Sequence, residues 1–137
     1  MLSVKPLEEG AHQLAKQLAA LGYEGFVHVR SCGWQKNPAV VLVAALAQPE
    51  LEARLFEALP WVMVRYTNIS TEWLMQQAKL RDLQNRLGFV TTLAREWVEQ
   101  QTSGDTDHLE TLRKLEDSLE KSKLAKVEPL STASLGP

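Results

Sequence analysis

The clearest hydrophobic pattern in the chain runs from Ile69 to Gln101. Its apolar residues recur at steps of mostly three or four, which places them on one face of a helix rather than on a strand. Ser70 is suited to cap the start of this helix, and Gly104 follows its end. The pattern predicts one long central helix from Thr71 to Gln101, about 46 Å long at about 1.5 Å per residue. The residues that form the apolar face are Trp73, Leu74, Leu80, Leu83, Leu87, Val90, Leu93, Ala94, Trp97 and Val98.

Two features of the predicted central helix are not explained by its apolar face. Gly88 lies near its middle, where glycine costs about 1 kcal/mol relative to alanine. We interpret this glycine as the place where another helix crosses closely, with a kink as the alternative. The opposite face carries a basic, amide-rich strip of Lys79, Arg81, Asn85 and Arg86. Such a strip is typical either of a surface that contacts phosphates or an acidic partner, or of a solvated face with intrahelical ion pairs.

Shorter apolar stripes predict further helices before the central one. The first covers residues 6–21 and ends at Gly22. Asn37 followed by proline is a helix start, and the almost wholly apolar helix over residues 38–47 is expected to be buried on most sides. A helix over residues 49–59 follows, and Pro60 is expected to break or restart it. Trp61–Tyr66 fits either a strand or a further helical turn, and helix is favoured because the segment joins two helices.

One short segment near the N-terminus has the alternation of a strand. Phe26–Arg30 is rich in β-forming residues, but a lone strand is marginal by itself. It would have to pair with Trp61–Tyr66, pair across a dimer, or be extended packing. The loop that follows, residues 31–38, is interpreted as a connector, although Cys32 and Trp34 also make it a conceivable site for a small molecule.

The C-terminal region has the pattern of a charged helix followed by a polar tail. A thin leucine stripe, Leu112, Leu115 and Leu119, predicts a helix from about Asp107 to Lys126 that forms either a weak coiled coil with a partner or a hairpin back onto the central helix. Residues 128–137 are rich in proline, serine and glycine and are expected to be flexible when free.

Taken together, these patterns predict a mainly α protein. We expect a small helical bundle of about five helices around one long central helix, with at most a short strand pair near the N-terminus. The predicted organisation is a helical globular domain over residues 1–104, a C-terminal charged helix or arm over residues 105–127, and a flexible tail over residues 128–137.

Composition narrows the classes of function. The chain has 137 residues, a net charge of −2 and an apolar fraction of 45%, which suits one ordinary globular core. This charge is unlike the strongly basic balance of most nucleic-acid-binding domains. A single cysteine excludes an internal disulfide and a multi-thiolate metal site. No apolar run approaches the ~20 residues needed to cross a bilayer, and the N-terminus has no apolar signal core. We therefore expect a cytoplasmic protein with no membrane partner.

The residues of common catalytic and cofactor motifs are missing from the sequence. The glycines are scattered rather than gathered in a phosphate-binding loop, and neither His-x-x-x-His nor Cys-x-x-Cys nor a calcium-binding loop occurs. We therefore predict no enzyme activity, no cofactor and no metal. One alternative to this prediction is an enzyme or small-molecule carrier that uses the loop around Cys32.

Three stretches carry a resemblance to known proteins. They are LPWVMVRY over residues 59–66, WLMQQAKLRDLQNRLGFVTTLARE over residues 73–96, and LEDSLEKSKLAK over residues 115–126. They resemble the C-terminal part of a poorly characterised group of bacterial proteins described as DNA-binding or transcriptional regulators, some of them antitoxin-like. The most specific piece is KLRDLQNRLGF, and the resemblance implies a cytoplasmic regulatory role.

Two functions follow as hypotheses. The first is a non-catalytic regulatory protein that acts by protein–protein interaction, as a homodimer or with a partner, through the central helix and the C-terminal arm. Its predicted partner-binding residues are Lys79, Arg81, Asn85, Arg86, Leu112, Leu115 and Leu119. The alternative is a transcriptional regulator or antitoxin whose dimer contacts DNA through a basic patch. That patch would consist of Arg30, Lys36, Lys79, Arg81 and Arg86.

Overall fold

The computed structural model describes residues 9–26, 35–101 and 106–135, and most of these residues are helical. The mainly α class is therefore confirmed, and no strand occurs in the described residues. The chain forms two compact units, Met1–Tyr66 and Thr67–Pro137. The elements in chain order are α1 (Glu9–Leu21), a short 3₁₀ turn (Glu24–Phe26), α2 (Pro38–Leu46), α3 (Ala53–Arg65), α4 (Thr71–Arg81), α5 (Gln84–Gln100) and α6 (Thr106–Leu135).

The first unit is built from α1, α2 and α3. Helix α3 begins at Ala53 and not at the predicted residue 49, whereas the start of α2 follows its sequence signal. Asn37 caps α2, since its Oδ1 accepts the backbone N–H of Ala39 at 2.9 Å, and Pro38 is the first helical residue. Most of α2 is buried, as its apolar composition predicts, although Val40 stays 46% exposed. Gly22 ends α1 with a φ of 108°, a backbone conformation that residues with a side chain rarely adopt.

The predicted break at Pro60 is wrong, and the preference for helix over Trp61–Tyr66 is confirmed as far as Arg65. Helix α3 runs without interruption from Ala53 to Arg65. A proline inside a helix removes a hydrogen bond and costs about 3 kcal/mol. Here Pro60 is buried together with the apolar residues around it, and this burial offsets the missing bond.

Aromatic rings hold the end of α1 against α3 within the first unit. Tyr23 lies 5.4 Å from Trp61 and 5.5 Å from Phe26, centroid to centroid, at tilted or edge-on angles. The Tyr66 hydroxyl donates to the backbone carbonyl of Leu21 at 2.6 Å. Rings this close fill the space between them, so the cluster is structural packing and not a ligand cage.

The predicted N-terminal strand lies almost wholly outside the described residues. Of Phe26–Arg30, only Phe26 is described, and it is a buried residue of the 3₁₀ turn. Cys32, Trp34 and Arg30 also fall outside the described ranges.

The prediction of one long central helix is wrong, because the chain breaks at Asp82 into α4 and α5. Asp82 adopts the left-handed conformation with φ 59° and ψ 47°, and both its N–H and that of Leu83 donate to the carbonyl of Ala78. Aspartate tolerates this conformation better than most residues. The break turns Leu83 inward, to 8% exposure, and leaves Leu80, part of the predicted apolar face, 79% exposed. Helix α5 then passes through Gly88 without interruption.

Helix α6 folds back onto α5 and also packs on α4 in the second unit. Its leucines, Leu112, Leu115 and Leu119, are at most 3% exposed, so the chain adopts the hairpin alternative. The predicted domain boundary at residue 104 falls within this unit, because the helices on its two sides pack together. Helix α6 also continues to Leu135, beyond its predicted end at Lys126 and into the segment expected to be flexible.

Candidate functional site

A groove of about 590 Å³ lies between α5 and α6 in the second unit. From α5 it is lined by Asn85, Gly88, Phe89 and Thr92, whose spacing of three and four puts them on one helical face. Gly88 has no side chain to fill this face, so its position leaves room between the two helices. The residues that α6 contributes are Arg113, Glu116, Asp117, Leu119 and Glu120.

A charge network clamps the two helices on one side of the groove. The Nε of Arg95 donates to Oε1 of Glu116 at 2.5 Å, and the Thr92 hydroxyl donates to the other oxygen of the same carboxylate at 2.6 Å. Arg95 also donates to Glu99 at 2.8 Å, and Glu99 accepts a second bond from Arg113 at 2.7 Å. These alternating charges join α5 to α6 at two carboxylates, which fixes the separation of the helices.

The network perturbs the acids and bases that form it. A hydrogen bond from Arg113, reinforced by Arg95, holds the pKa of Glu99 below its ordinary value of 4.5. A hydrogen bond to Glu116 raises the pKa of Arg95 above its ordinary value. Both partners therefore stay charged around neutral pH, and the clamp is intact there.

The open side of the groove combines an aromatic ring with acidic side chains. Phe89 is 59% exposed, although burying a phenylalanine is worth about 1.5–3 kcal/mol. Asp117 and Glu120 stand on α6 along the same groove, and Asp117 pairs with Lys121 at 3.3 Å. The lining as a whole carries three acids and one arginine, so its formal charge is −2. Such a surface suits a ligand that is apolar in one part and cationic in another.

The predicted partner-binding residues are divided between this groove, the core and the α4–α5 turn. Asn85 and Leu119 line the groove. Leu112, Leu115 and also Leu119 are buried in the unit and so do not form the free stripe that a coiled-coil partner would need; this part of the prediction is corrected. Three cations lie on the two sides of the turn: Lys79 and Arg81, which are exposed, and Arg86, which is half-buried.

The predicted DNA-contacting set is not brought together within one unit. Lys79, Arg81 and Arg86 belong to the second unit, Lys36 is an exposed residue of the first, and Arg30 lies outside the described residues. The structure therefore gathers three of the five predicted cations in one place.

Sequence reasoning missed the residues that give the groove its character. Phe89, Asp117 and Glu120 were not among the predicted site residues. A signal for Phe89 exists, because it lies outside the apolar stripe of its own helix and next to Gly88. The acids of α6 give no comparable signal, since their place in the groove depends on α6 folding back.

Neither a metal site nor a membrane span is found in the described residues. Within residues 9–26, 35–101 and 106–135, no group of three histidine, cysteine or acidic side chains could hold a metal ion. The same part of the chain contains no helix with the length and apolar character needed to span a membrane.

Comparison of the chain with known proteins found no matching family model, no matching curated protein and no matching solved structure.

Proposed function

We propose that the protein is a non-catalytic interaction module that binds a protein chain in the groove between α5 and α6. The observation that carries this proposal is an exposed aromatic side chain, Phe89, in a preformed groove whose α6 side is acidic. A large exposed apolar side chain next to polar groups is typical of a protein-binding surface. Aromatic residues are also among those that contribute most to binding energy when a partner covers them.

The charge network on one side of the groove, which we call the clamp, supports this function. Arg95, Glu116 and Glu99 hold α5 and α6 at a fixed separation before any partner arrives. A preformed surface loses less conformational entropy on binding than one that must first be ordered. A regulatory role in the cytoplasm, expressed through partner binding, is part of the same proposal.

Site-specific photo-crosslinking tests this function directly. A photoreactive phenylalanine analogue placed at Phe89 should form adducts with a protein chain, because the ring position faces the bound partner. The matched control is the same analogue at Gln100, an exposed residue at the end of the same helix that does not line the groove.

Adduct formation at Phe89 should disappear when Asp117 and Glu120 are both replaced by lysine, since the groove would then repel a cationic partner. Equal adduct yields at Phe89 and Gln100 would contradict the proposal.

Nucleic acid is a second candidate, favoured by one observation. Lys79, Arg81 and Arg86 lie within eight residues on the two sides of the α4–α5 turn, and the first two are exposed. Phosphate contacts by such cations make affinity fall steeply with salt. Against this candidate, Asn85 lies in the acidic groove only four residues beyond Arg81, and acids near the cations repel phosphates.

A duplex-binding assay at about 50 mM and about 200 mM salt distinguishes the two functions. Binding that weakens with salt and is lost on replacing Lys79 and Arg81 by alanine would support the nucleic-acid function. No binding at the lower salt concentration would remove it.

A further inference from the structure

We propose that the groove receives a second copy of this chain, which inserts Lys79, Leu80 and Arg81 from the C-terminal end of its own α4. These three residues are called the basic corner below. The inference rests on the proposed function, that the groove binds a protein chain, and names the occupant.

The basic corner has the chemistry that the groove lacks. Leu80 is 79% exposed, and its neighbours in sequence, Lys79 and Arg81, are exposed cations. The Nε of Arg81 donates to Oε1 of Gln77 at 3.1 Å, which anchors the guanidinium to its own helix. Along the chain, the corner therefore places one exposed apolar side chain between two exposed cations.

The groove has the opposite net charge: Phe89 on α5 shares it with Glu116, Asp117 and Glu120 on α6, which outnumber its one cation, Arg113. Leu80 and Phe89 are the two most exposed large hydrophobic residues in the described part of the chain, at 79% and 59%. Contact between the corner of one copy and the groove of another would bury both of them. It would also bring Lys79 and Arg81 near Asp117 and Glu120, so apolar burial and charge complementarity favour the same contact.

The positions of corner and groove permit a closed dimer. Asn85, at one end of the groove, follows Arg81 by only four residues, so the corner and the groove lie near the same end of α5. When two complementary surfaces are neighbours on one unit, a two-fold axis can make both contacts at once. The basic corner of each copy then lies in the groove of the other copy.

Charge reversal in the full-length chain tests this assignment. One variant carries Asp117→Lys and Glu120→Lys in the groove, and the other carries Lys79→Glu and Arg81→Glu in the corner. All four side chains are exposed, so both variants should fold, and circular dichroism checks this. Sedimentation equilibrium should show the unaltered chain as a dimer, with a dissociation constant raised at least about tenfold in each variant, because like charges would then meet.

Mixing the two variants is the decisive step. In a mixed pair the reversed corner meets the reversed groove, and the unaltered corner meets the unaltered groove. Both contacts are again complementary, so the mixture should recover the dissociation constant of the unaltered chain to within about threefold. Leu80→Ser, which changes no charge, should weaken the dimer independently of the acids.

Three results would overturn the inference: a monomer at about 0.2 mM protein, variants that dimerise as well as the unaltered chain, or a mixture no tighter than the separate variants. Crosslinking separates this failure from that of the proposed function. A monomer that still forms Phe89-dependent adducts with a different protein removes only the second copy as occupant. Absence of specific adducts at Phe89 removes both.

Discussion

The interactions that stabilise the interior of the first unit differ from those that stabilise the second. In the first unit, buried aliphatic residues and a group of aromatic rings join the helices, and the ion pair between Arg54 and Glu52 links residues only two apart. In the second unit, α5 and α6 share a buried leucine stripe but are also joined by charges across the helix pair. Apolar side chains pack without leaving space between helices, whereas the charged pair of α5 and α6 leaves exposed side chains and a groove at its edge. This difference is the reason that the candidate site lies in the second unit.

The largest expected effect comes from the core of the first unit. Leu42 is fully buried in α2, so Leu42→Ala should lower the free energy of unfolding by about 2–5 kcal/mol, through lost burial and the cavity left behind. Chemical denaturation at low and high salt measures it, and the loss should not depend on salt. Val40→Ala on the same helix is the control and should stay within about 0.5 kcal/mol, because Val40 is 46% exposed. Equal losses for the two variants would contradict the packing described for α2.

A smaller, salt-dependent effect is expected from the clamp of the second unit. Glu116 accepts from both Arg95 and Thr92, and the side chains of Glu116 and Arg95 are each 22% exposed. Glu116→Gln should therefore lower the free energy of unfolding by about 1.5–3 kcal/mol, the range for hydrogen bonds to charged groups. The loss should shrink at high salt as the charges are screened.

Glu110→Gln is the matched control for the clamp. Glu110 pairs with Lys114 at 3.6 Å on the exposed face of the same helix, where such pairs contribute at most about 1 kcal/mol. If both glutamine variants had the same stability, the charge network would not be what joins α5 to α6.

Each unit contains a helix whose first turn is capped by a side chain, so the loss of one capping hydrogen bond can be compared between the two units. Asn37 caps α2, and Ser70 caps α4 by accepting the N–H of Trp73 at 3.1 Å. Asn37→Ala and Ser70→Ala should each cost about 1 kcal/mol. Glu52, at the start of α3, makes no capping bond, and its ion pair with Arg54 is partly exposed, so Glu52→Gln should cost about 0.5 kcal/mol or less. Thermal unfolding measures all three, and a loss for Glu52→Gln as large as for the caps would show that capping bonds are not the cause.

The smallest effects are expected at the two ends of the pH range. The folded-state pKa of Glu99 lies below its unfolded value of about 4.5, mainly because of the hydrogen bond from Arg113. Its contribution to stability is therefore complete above that value and is lost as pH falls through the folded pKa. The difference in melting temperature between the unaltered chain and Glu99→Gln should narrow below pH 4.5. A constant difference down to pH 3 would contradict the hydrogen bonds assigned to Glu99.

Tyr23 in the first unit should show the opposite dependence. Burial, together with the nearby charge of Glu57, raises the pKa of Tyr23 above 10.0 in the folded state. Its contribution is present below pH 10 and is lost as pH rises through the folded pKa. Tyr23→Phe, which cannot ionise, should gain in melting temperature relative to the unaltered chain above pH 10, and should show no such gain at pH 7.

Much of the fold could be predicted from the sequence because its signals are local. The proline after Asn37, the cap at Ser70 and the apolar stripe of α1 each depend on residues a few positions apart. The first two predicted the starts of α2 and α4 correctly, and the third predicted α1. The end of the helix at Asp82 could not be found in this way. The hydrophobic pattern around Asp82 looks the same whether this residue lies on the polar face of a continuous helix or adopts the left-handed conformation that ends a helix. The pattern therefore does not reveal the break.

The candidate site could be predicted only in part. The sequence singles out Gly88 as an unusual position on a helix and Asn85 as a partner-binding residue. The groove also needs α6, however, and the stripe of α6 fits a partner helix and a hairpin equally well. The contact that decides between them, Arg95 with Glu116, joins residues 21 positions apart. No local pattern in the sequence links these two residues. Phe89 lines a groove only when α6 packs against α5, so its role could not be predicted before the hairpin was known.

Dilution of the isotopically labelled chain, followed by its amide chemical shifts from about 0.5 mM to about 20 μM, shows whether a second copy occupies the groove. We expect concentration-dependent shifts at Leu80, Asn85, Phe89 and Asp117, which belong to the basic corner and the groove, and constant shifts in α1, α2 and α3. Shifts that do not change with concentration, or that change mainly in the first unit, would contradict this occupancy.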